Sequence, residues 1–473
     1  MSPTPQIELP QQQILPFSLG NRLFDDGQDS NNTNSPTFVC DDQPSWLSRL
    51  FFMLNEKLVV NFTPVFFASV MGTGICSNIL YNFPFPAKWL QVCGIIFSVV
   101  CLVLFLSLTA LMIFALFKDS HLWYRIHRDP VHAPAMGCFV MGFITLVNML
   151  HSLTEKSWIY AVWVLWWVAV FGSVYTAFLT FFFSVVGKHR KRENVLKTSN
   201  ISLAFLLPVV TLTVCAALGG SICPDLPKLN MKITTMVLSF VMWAIAVILA
   251  FIVVLVNFWR MFVHKIPATG QVFTMFLPIG FLGQGAYAIL LFGRNCVEII
   301  MENSNNVASS SYTSFLHEAA NSHNQDLSNL PVILSTALLA TSTMFAASLM
   351  AFGYFFTFLA FASVLSKMQP FARKPNTQHI YDGTEGNIVQ RLFSGFLRFN
   401  RGFWSMTFPL GTMSLCNGEM YNLYKGMEAF RYISTIYACI LISITLGCLC
   451  GVAYNFVKMV ITSMRPATSK EMV

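Results

Sequence analysis

Charge is scarce in this chain. Lys, Arg, Asp and Glu make up 11% of its 473 residues, against about 25% in a soluble globular domain, while 55% are hydrophobic and the mean hydropathy is +0.60. That shortage excludes an ordinary water-soluble fold and predicts a home in a lipid bilayer. Metal-ligand spacing is missing too. The 12 cysteines fall in no paired ligand pattern, and His121, His127 and His132 are separated by six and five positions, which does not bring three rings to one helix face. No metal or cofactor is expected. Without histidine boxes, intramembrane carboxylate pairs or a nucleotide-binding loop, the sequence offers an enzyme nothing to work with at membrane depth, and none is expected. Residues 1 to 45 have no apolar core and so do not read as a signal peptide. Their Gln, Asn, Asp, Ser and Pro content predicts a disordered tail over 1–55, followed by a membrane domain over 56–460 and a short tail over 461–473.

The net charge of +8 is not a nucleic-acid signature, because the basic residues lie between apolar runs rather than in one patch. Their placement reports topology instead. Ten apolar runs of ~20 residues are present, the length that crosses a hydrocarbon core of ~30 Å. Odd-numbered runs pair proline with glycine: Pro64 with Gly72 and Gly74, Pro134 with Gly137 and Gly142, Pro208 with Gly219, Pro278 with Gly280, Gly283 and Gly285, and Pro409 with Gly411. Even-numbered runs, near 88–117, 157–186, 231–259, 332–366 and 427–460, contain no proline. This fivefold alternation predicts an all-α integral membrane protein of ten transmembrane helices in five helical-hairpin repeats. Five helices broken at proline would ring a central pore, and five regular ones would face lipid.

Polar residues in the odd runs carry no charge. Thr73, Asn78, Thr145, Asn148, Thr211, Thr274, Gln284, Thr407, Thr412 and Ser414 predict a path of hydroxyl and amide dipoles that suits an anion passing without sticking, with positive half-helix N-termini at the breaks. For each Ser and Thr the alternative is a hydroxyl bonded back to its own helix. Gly72, Thr73 and Gly74 either let helices pack closely or let backbone approach an ion. Gln284 either bonds a neighbouring helix or presents its amide to the solute. In the ninth run, GFWSMTFPLGTMSL over 402–415, Phe408 stands beside Pro409 as the bulkiest obstruction. His151 is a titrating gate or an interfacial histidine, and Glu419 is a coupling or exit carboxylate or an interfacial charge. Cys223 and Cys296 read as loop cysteines sharing one oxidising side, either paired in a disulfide or unrelated.

The stretches VMGTGICSNILYNFPFPAKWL (70–90), KIPATGQVFTMFLPIGFLGQG (265–285) and NRGFWSMTFPLGTMSLCNGEMY (400–421) resemble the sulfite-efflux members of the tellurite-resistance/dicarboxylate transporter family, which also contains the plant guard-cell slow anion channel and the fungal malate permease. The resemblance implies a plasma-membrane homotrimer, each subunit with its own pore closed near mid-membrane by a phenylalanine that falls on Phe408. It also implies export of sulfite or bisulfite. The alternative within transport is a proton-coupled mono- or dicarboxylate permease, expected to hold a cation in an odd span, and no Arg or Lys is read there.

Loops after even runs hold sixteen Lys and Arg against seven after odd runs, which predicts cytoplasmic termini and an outer segment over 294–328. An epitope tag inserted at Ser310 is therefore expected to stain intact cells; staining only after permeabilisation reverses the topology.

Overall fold

The computed structural model describes residues 46–130, 132–154, 156–186, 202–267, 269–302, 330–367 and 401–464. Most of the 1–55 tail, the outer segment beyond residue 302, much of the basic loops, and the C-terminal tail beyond Met464 lie outside the described residues. Among the described residues every regular element is a helix. One helix, α1 (Trp46–Leu54), falls inside the stretch expected to be tail and packs against the last helix of the chain. Leu50, Met53 and Leu54 share its protein-facing side, leaving Phe51 and Phe52 outward.

Five hairpins follow. They are α2 (Ala68–Tyr81) with α3 (Lys88–Lys118); α5 (Met136–Thr154) with α6 (Ile159–Val174), after the short α4 (Leu122–Arg128); α7 (Leu206–Ile222) with α8 (Leu229–His264); α9 (Leu277–Glu302) with α10 (Leu330–Leu365); and α11 (Trp404–Leu423) with α12 (Glu428–Met464). The two members of each pair differ in burial. In the spans of α2, α5, α7 and α9 at least 72% of the central window is buried, and in those of α3, α6, α8, α10 and α12 at most 39%. These nine are long and apolar enough to cross a membrane. The tenth, α11, is more polar, yet 14 of its 20 residues are buried. A helix screened from lipid on every side has no need to be apolar, provided protein satisfies its polar groups. So α2, α5, α7, α9 and α11 form the inner set and the others a lipid-facing sheath.

The inner helices close into a ring, with contacts between α2 and α5, α5 and α7, α7 and α9, α9 and α11, and α11 and α2. Each seam holds a glycine pressed on its neighbour. A methyl group at Gly74 would strike Thr145; at Gly137, the carbonyl oxygen of Leu207 at 2.6 Å; at Gly220, Leu291 at 2.8 Å; at Gly283, the backbone nitrogen of Met413 at 2.8 Å; at Gly411, Ile75 at 2.6 Å. Without side chains in the way, backbones approach and gain dispersion contacts that lipid cannot supply. Hydrogen bonds then tie the sheath to the ring: Ser77 Oγ donates to Gly94 O at 2.8 Å, Trp166 Nε1 to Cys215 O at 3.2 Å, Trp243 Nε1 to Gly285 O at 2.8 Å, and Tyr354 OH to Asn417 Oδ1 at 2.6 Å.

The prolines act differently from the expected mid-helix breaks. Pro64 and Pro134 lie in 3₁₀ turns (Pro64–Phe67 and Ala133–Ala135) that lead into α2 and α5, while Pro208 and Pro278 occupy the third and second positions of α7 and α9. There the missing N–H has no intrahelical partner to lose, so proline starts these helices rather than breaking them. Only Pro409 lies inside a helix, and α11 runs continuously through it. Its ring faces Gly280 of α9.

Gly137→Ala and Gly283→Ala are expected to destabilise the protein by about 1–3 kcal/mol, because the atoms in the way are backbone and cannot yield. Gly447→Ala, with nothing within 4 Å, is expected to be neutral. Thermal unfolding in detergent checks the contrast.

Candidate functional site

A narrow cavity of about 30 Å³ lies inside the ring, and all five inner helices line it. From α2 come Ile75 and Asn78; from α5, Ile144, Thr145 and Asn148; from α7, Val214, Ala217, Leu218 and Ser221; from α9, Gln284 and Tyr287; from α11, Phe408 and Leu415. None is charged. Phe408, the fifth residue of α11, lies nearest the N-terminal end of its helix, whereas Asn78, Asn148 and Ser221 lie toward the C-terminal ends of α2, α5 and α7.

The polar groups of the lining are held in defined orientations. Asn148 Nδ2 donates to Asn78 Oδ1 at 2.8 Å, and Asn78 Nδ2 donates to the carbonyls of Gly74 at 2.8 Å and Thr145 at 3.0 Å. This bridge locks α2 to α5 and settles which way the Asn78 amide points. The hydroxyls of Thr145 and Ser221 return to Gly142 O and Ala217 O. Gln284 is the exception. It is 4% exposed and its Oε1 has no hydrogen-bond partner, which leaves a buried acceptor unanswered by the protein.

Several residues read from the sequence as pore-lining are placed elsewhere. Gly72 and Gly74 are seam glycines, packed on Thr407 with Trp404 and on Thr145. Thr73, Thr407 and Thr412 donate back to Ser69 O, Trp404 O and Pro409 O at 2.7–2.8 Å. Thr211 turns to the sheath and meets the hydroxyl of Thr176 at 2.9 Å, as Ser414 does with Ser434 O at 2.9 Å. Thr274 bonds Gln271 O in the 3₁₀ turn Thr269–Phe276 that leads into α9. Conversely, Tyr287 and Ser221 line the cavity without having been singled out. Tyr287 lies three residues after Gln284 on one helix face, the signal that points to it.

Charges gather at the C-terminal ends of the ring helices, and several are paired. Asp225 accepts from His151 Nε2 at 3.0 Å and lies 3.6 Å from Lys156 Nζ. Glu419, buried in α11, pairs with Arg294 Nη1 at 2.6 Å. This corrects the expectation that the odd spans hold no cation: α9 runs to Glu302, past the apolar run, and carries Arg294 inside it. The cysteine reading is corrected as well. Cys223 and Cys296 are buried free thiols, the first aimed at Lys232 O at 3.5 Å and the second at Met236 Sδ at 3.6 Å. Cys296 belongs to α9 rather than to a loop.

The family model described as voltage-dependent anion channel, SLAC1, matches residues 61–453. The chain belongs to this family. Its ring, sheath and lumen are thus those of a multi-pass membrane protein for a small anion, as the resemblance implied. Among SLAC1-related proteins, the sulfite efflux pump SSU1 of Candida albicans is 39% identical over 85% of this chain and 76% of its own length. The sulfite efflux pump SSU1 of Saccharomyces cerevisiae is 29% identical over 87% of this chain and 91% of its own. The uncharacterized transporter MJ0576 of Methanocaldococcus jannaschii is 23% identical over 50% of this chain.

Arg294→Met is expected to destabilise the protein by about 1–3 kcal/mol, because it strands a buried carboxylate. The double variant Arg294→Met, Glu419→Met is expected to recover most of that loss. A double-mutant cycle on detergent-solubilised protein measures the coupling.

Proposed function

We propose that this protein exports sulfite or bisulfite from the cytosol across the plasma membrane, through a pore in each subunit of a homotrimer, with both termini cytoplasmic. The observation that carries the reading is the neutral lumen lined by all five inner helices, with Phe408 in its wall. The remaining side-chain N–H groups of Asn148 and Gln284 and the Tyr287 hydroxyl replace part of an anion's hydration shell, and no fixed charge within the lining traps the ion. The N-termini of the five inner helices lie at the cytoplasmic end under this topology and favour an arriving anion. An inside-negative potential then drives a monovalent anion outward by about 2.3 kcal/mol per 100 mV.

Phe408 is the gate in this reading, and its ring must turn aside for passage. Pro409 and Gly411 surround it with a backbone that has one hydrogen bond fewer and no side chain on one flank, which eases that movement. Arg294, the cation that α9 carries, is engaged by Glu419 and so is not free to pair a substrate carboxylate, which favours sulfite over a proton-coupled carboxylate permease. The sulfite-efflux names of the two fungal relatives support the choice of anion, and nothing in the proposed cycle calls for an enzymatic step.

Purified protein in liposomes is expected to carry sulfite faster than chloride or malate, and expression is expected to rescue a sulfite-sensitive deletion strain. Malate flux that follows an imposed proton gradient, with sulfite left behind, replaces this proposal by the permease. Phe408→Ala is expected to raise basal sulfite flux; each tenfold rise corresponds to a barrier lower by about 1.4 kcal/mol. Unchanged flux in that variant moves the gate elsewhere.

A further inference from the structure

The charged residues beyond the outer end of the lumen continue the helix faces that line it. On α11, Glu419 follows Leu415 by four residues and Phe408 by eleven, which at 3.6 residues per turn keeps it within about 20° of the Phe408 side. On α9, Arg294 follows Tyr287 by seven residues, two turns. His151 follows Asn148 by three on α5, and Asp225, in the 3₁₀ turn Cys223–Asp225 that ends α7, follows Ser221 by four. An anion that leaves the neutral cavity along these faces meets these four residues next.

Their ion pairs share an internal order. Glu419 and Arg294, paired at 2.6 Å, have side chains 6% and 37% exposed. Asp225, 3.6 Å from Lys156 Nζ, is 25% exposed against 79% for that lysine. In both pairs the carboxylate is the deeper member and the permanent cation the outer one. Seam register agrees for α9 and α11. Gly280 faces Pro409, and Gly283 faces Thr412 and Met413, so the Arg294 backbone lies roughly four residues, or about 6 Å, farther out than that of Glu419. The guanidinium reaches back to meet the carboxylate, whose other oxygen accepts from Asn422 Nδ2 at 3.4 Å.

A pair oriented this way is not neutral to an ion approaching from the lumen. Its negative pole is nearer and buried, while its positive pole is farther away and screened by water. Repulsion is met first, and it grows in proportion to the charge on the anion. A neutral His151 ring donates Nε2–H to Asp225 at 3.0 Å and leaves this order as it is.

We propose that Glu419, with Asp225 beside it on the rim, is a valence filter that passes monovalent oxyanions and holds back divalent ones, so that hydrogensulfite rather than sulfite is the exported species. The inference rests on the sulfite-export reading and narrows it to one ionisation state. The same filter keeps divalent anions on the outer side, such as sulfate, from running backward through the lumen. Arg294 tunes the filter: it weakens the field of Glu419 enough for a single charge to pass.

The test compares methanesulfonate and sulfate fluxes through the full-length protein in liposomes at about pH 8, where an ordinary imidazole is neutral. Both probes are tetrahedral and fully ionised, with one charge and two. Methanesulfonate is expected to pass about tenfold faster than sulfate or better. Glu419→Gln, which keeps the side chain's shape and leaves the half-exposed Arg294 to water, is expected to shrink that ratio about tenfold by raising sulfate flux. Glu419→Asp, which keeps the charge, is expected to preserve the ratio; a purely structural role for Glu419 lowers both fluxes together and leaves the ratio alone. Sulfite flux in the native protein is expected to fall as rising pH converts hydrogensulfite to sulfite, with methanesulfonate flux level over the same range. Equal passage of the two probes by the native protein overturns the proposal, as does a ratio that Glu419→Gln leaves unchanged. Sulfite flux alongside an unchanged ratio removes this inference and leaves the export reading standing, whereas passage of a probe without any sulfite flux removes both.

Discussion

The close approach of neighbouring backbones at the ring seams is the constraint on which the rest of the structure depends. In lipid no hydrophobic force pulls apolar helices together, so association rests on packing and on hydrogen bonds made inside the protein. Gly74, Gly137, Gly220, Gly283 and Gly411 bring each inner helix against the next, and the narrowness of the lumen follows. With five helices drawn this close, only a slot lined by a few side chains per helix remains. The identity of those side chains then decides what the slot admits.

Polarity is distributed to keep that slot neutral. The inner helices carry many hydroxyls and amides, but most face a neighbour or bond back to their own turn: Thr211 to Thr176, Ser414 to Ser434, Asn417 to Tyr354. Among the described residues no formal charge lines the slot, and Glu419 and Asp225 near the helix ends are paired. What is left facing the lumen is the Asn78–Asn148 bridge, two returned hydroxyls, the Tyr287 phenol and the unsatisfied carbonyl of Gln284.

Much of this was legible from residue order alone, for a physical reason. Proline and glycine report backbone demands that are local, so their fivefold recurrence with proline-free runs between them exposed the hairpins and the division into ring and sheath. The part that stayed hidden depends on direction. Hydropathy does not register which way a hydroxyl turns, so Thr211 and Ser414, which face outward, read the same as Thr145, which faces the lumen. It also truncates helices whose last turns are polar but buried, which is why α9 appeared to end before Arg294 and Cys296. Phe408 and Gln284 were visible because bulk and an amide in an apolar run are conspicuous whatever their orientation; the free state of Cys223 and Cys296 was not, since pairing requires geometry that spacing does not carry.

The polarity of α11 has a consequence for how the protein is made. A segment holding Asn417, Glu419 and Asn422 beyond an interior proline is poorly suited to partition into a bilayer alone. Its amide partner Tyr354 lies on α10, its carboxylate partner Arg294 on α9, and Ser434 on α12. Stable insertion of α11 therefore waits for helices on both sides of it in the chain, and the ring closes only once α12 has been made. Until then the nascent protein is an open arc of four inner helices, and the conducting path comes into being with its last hairpin.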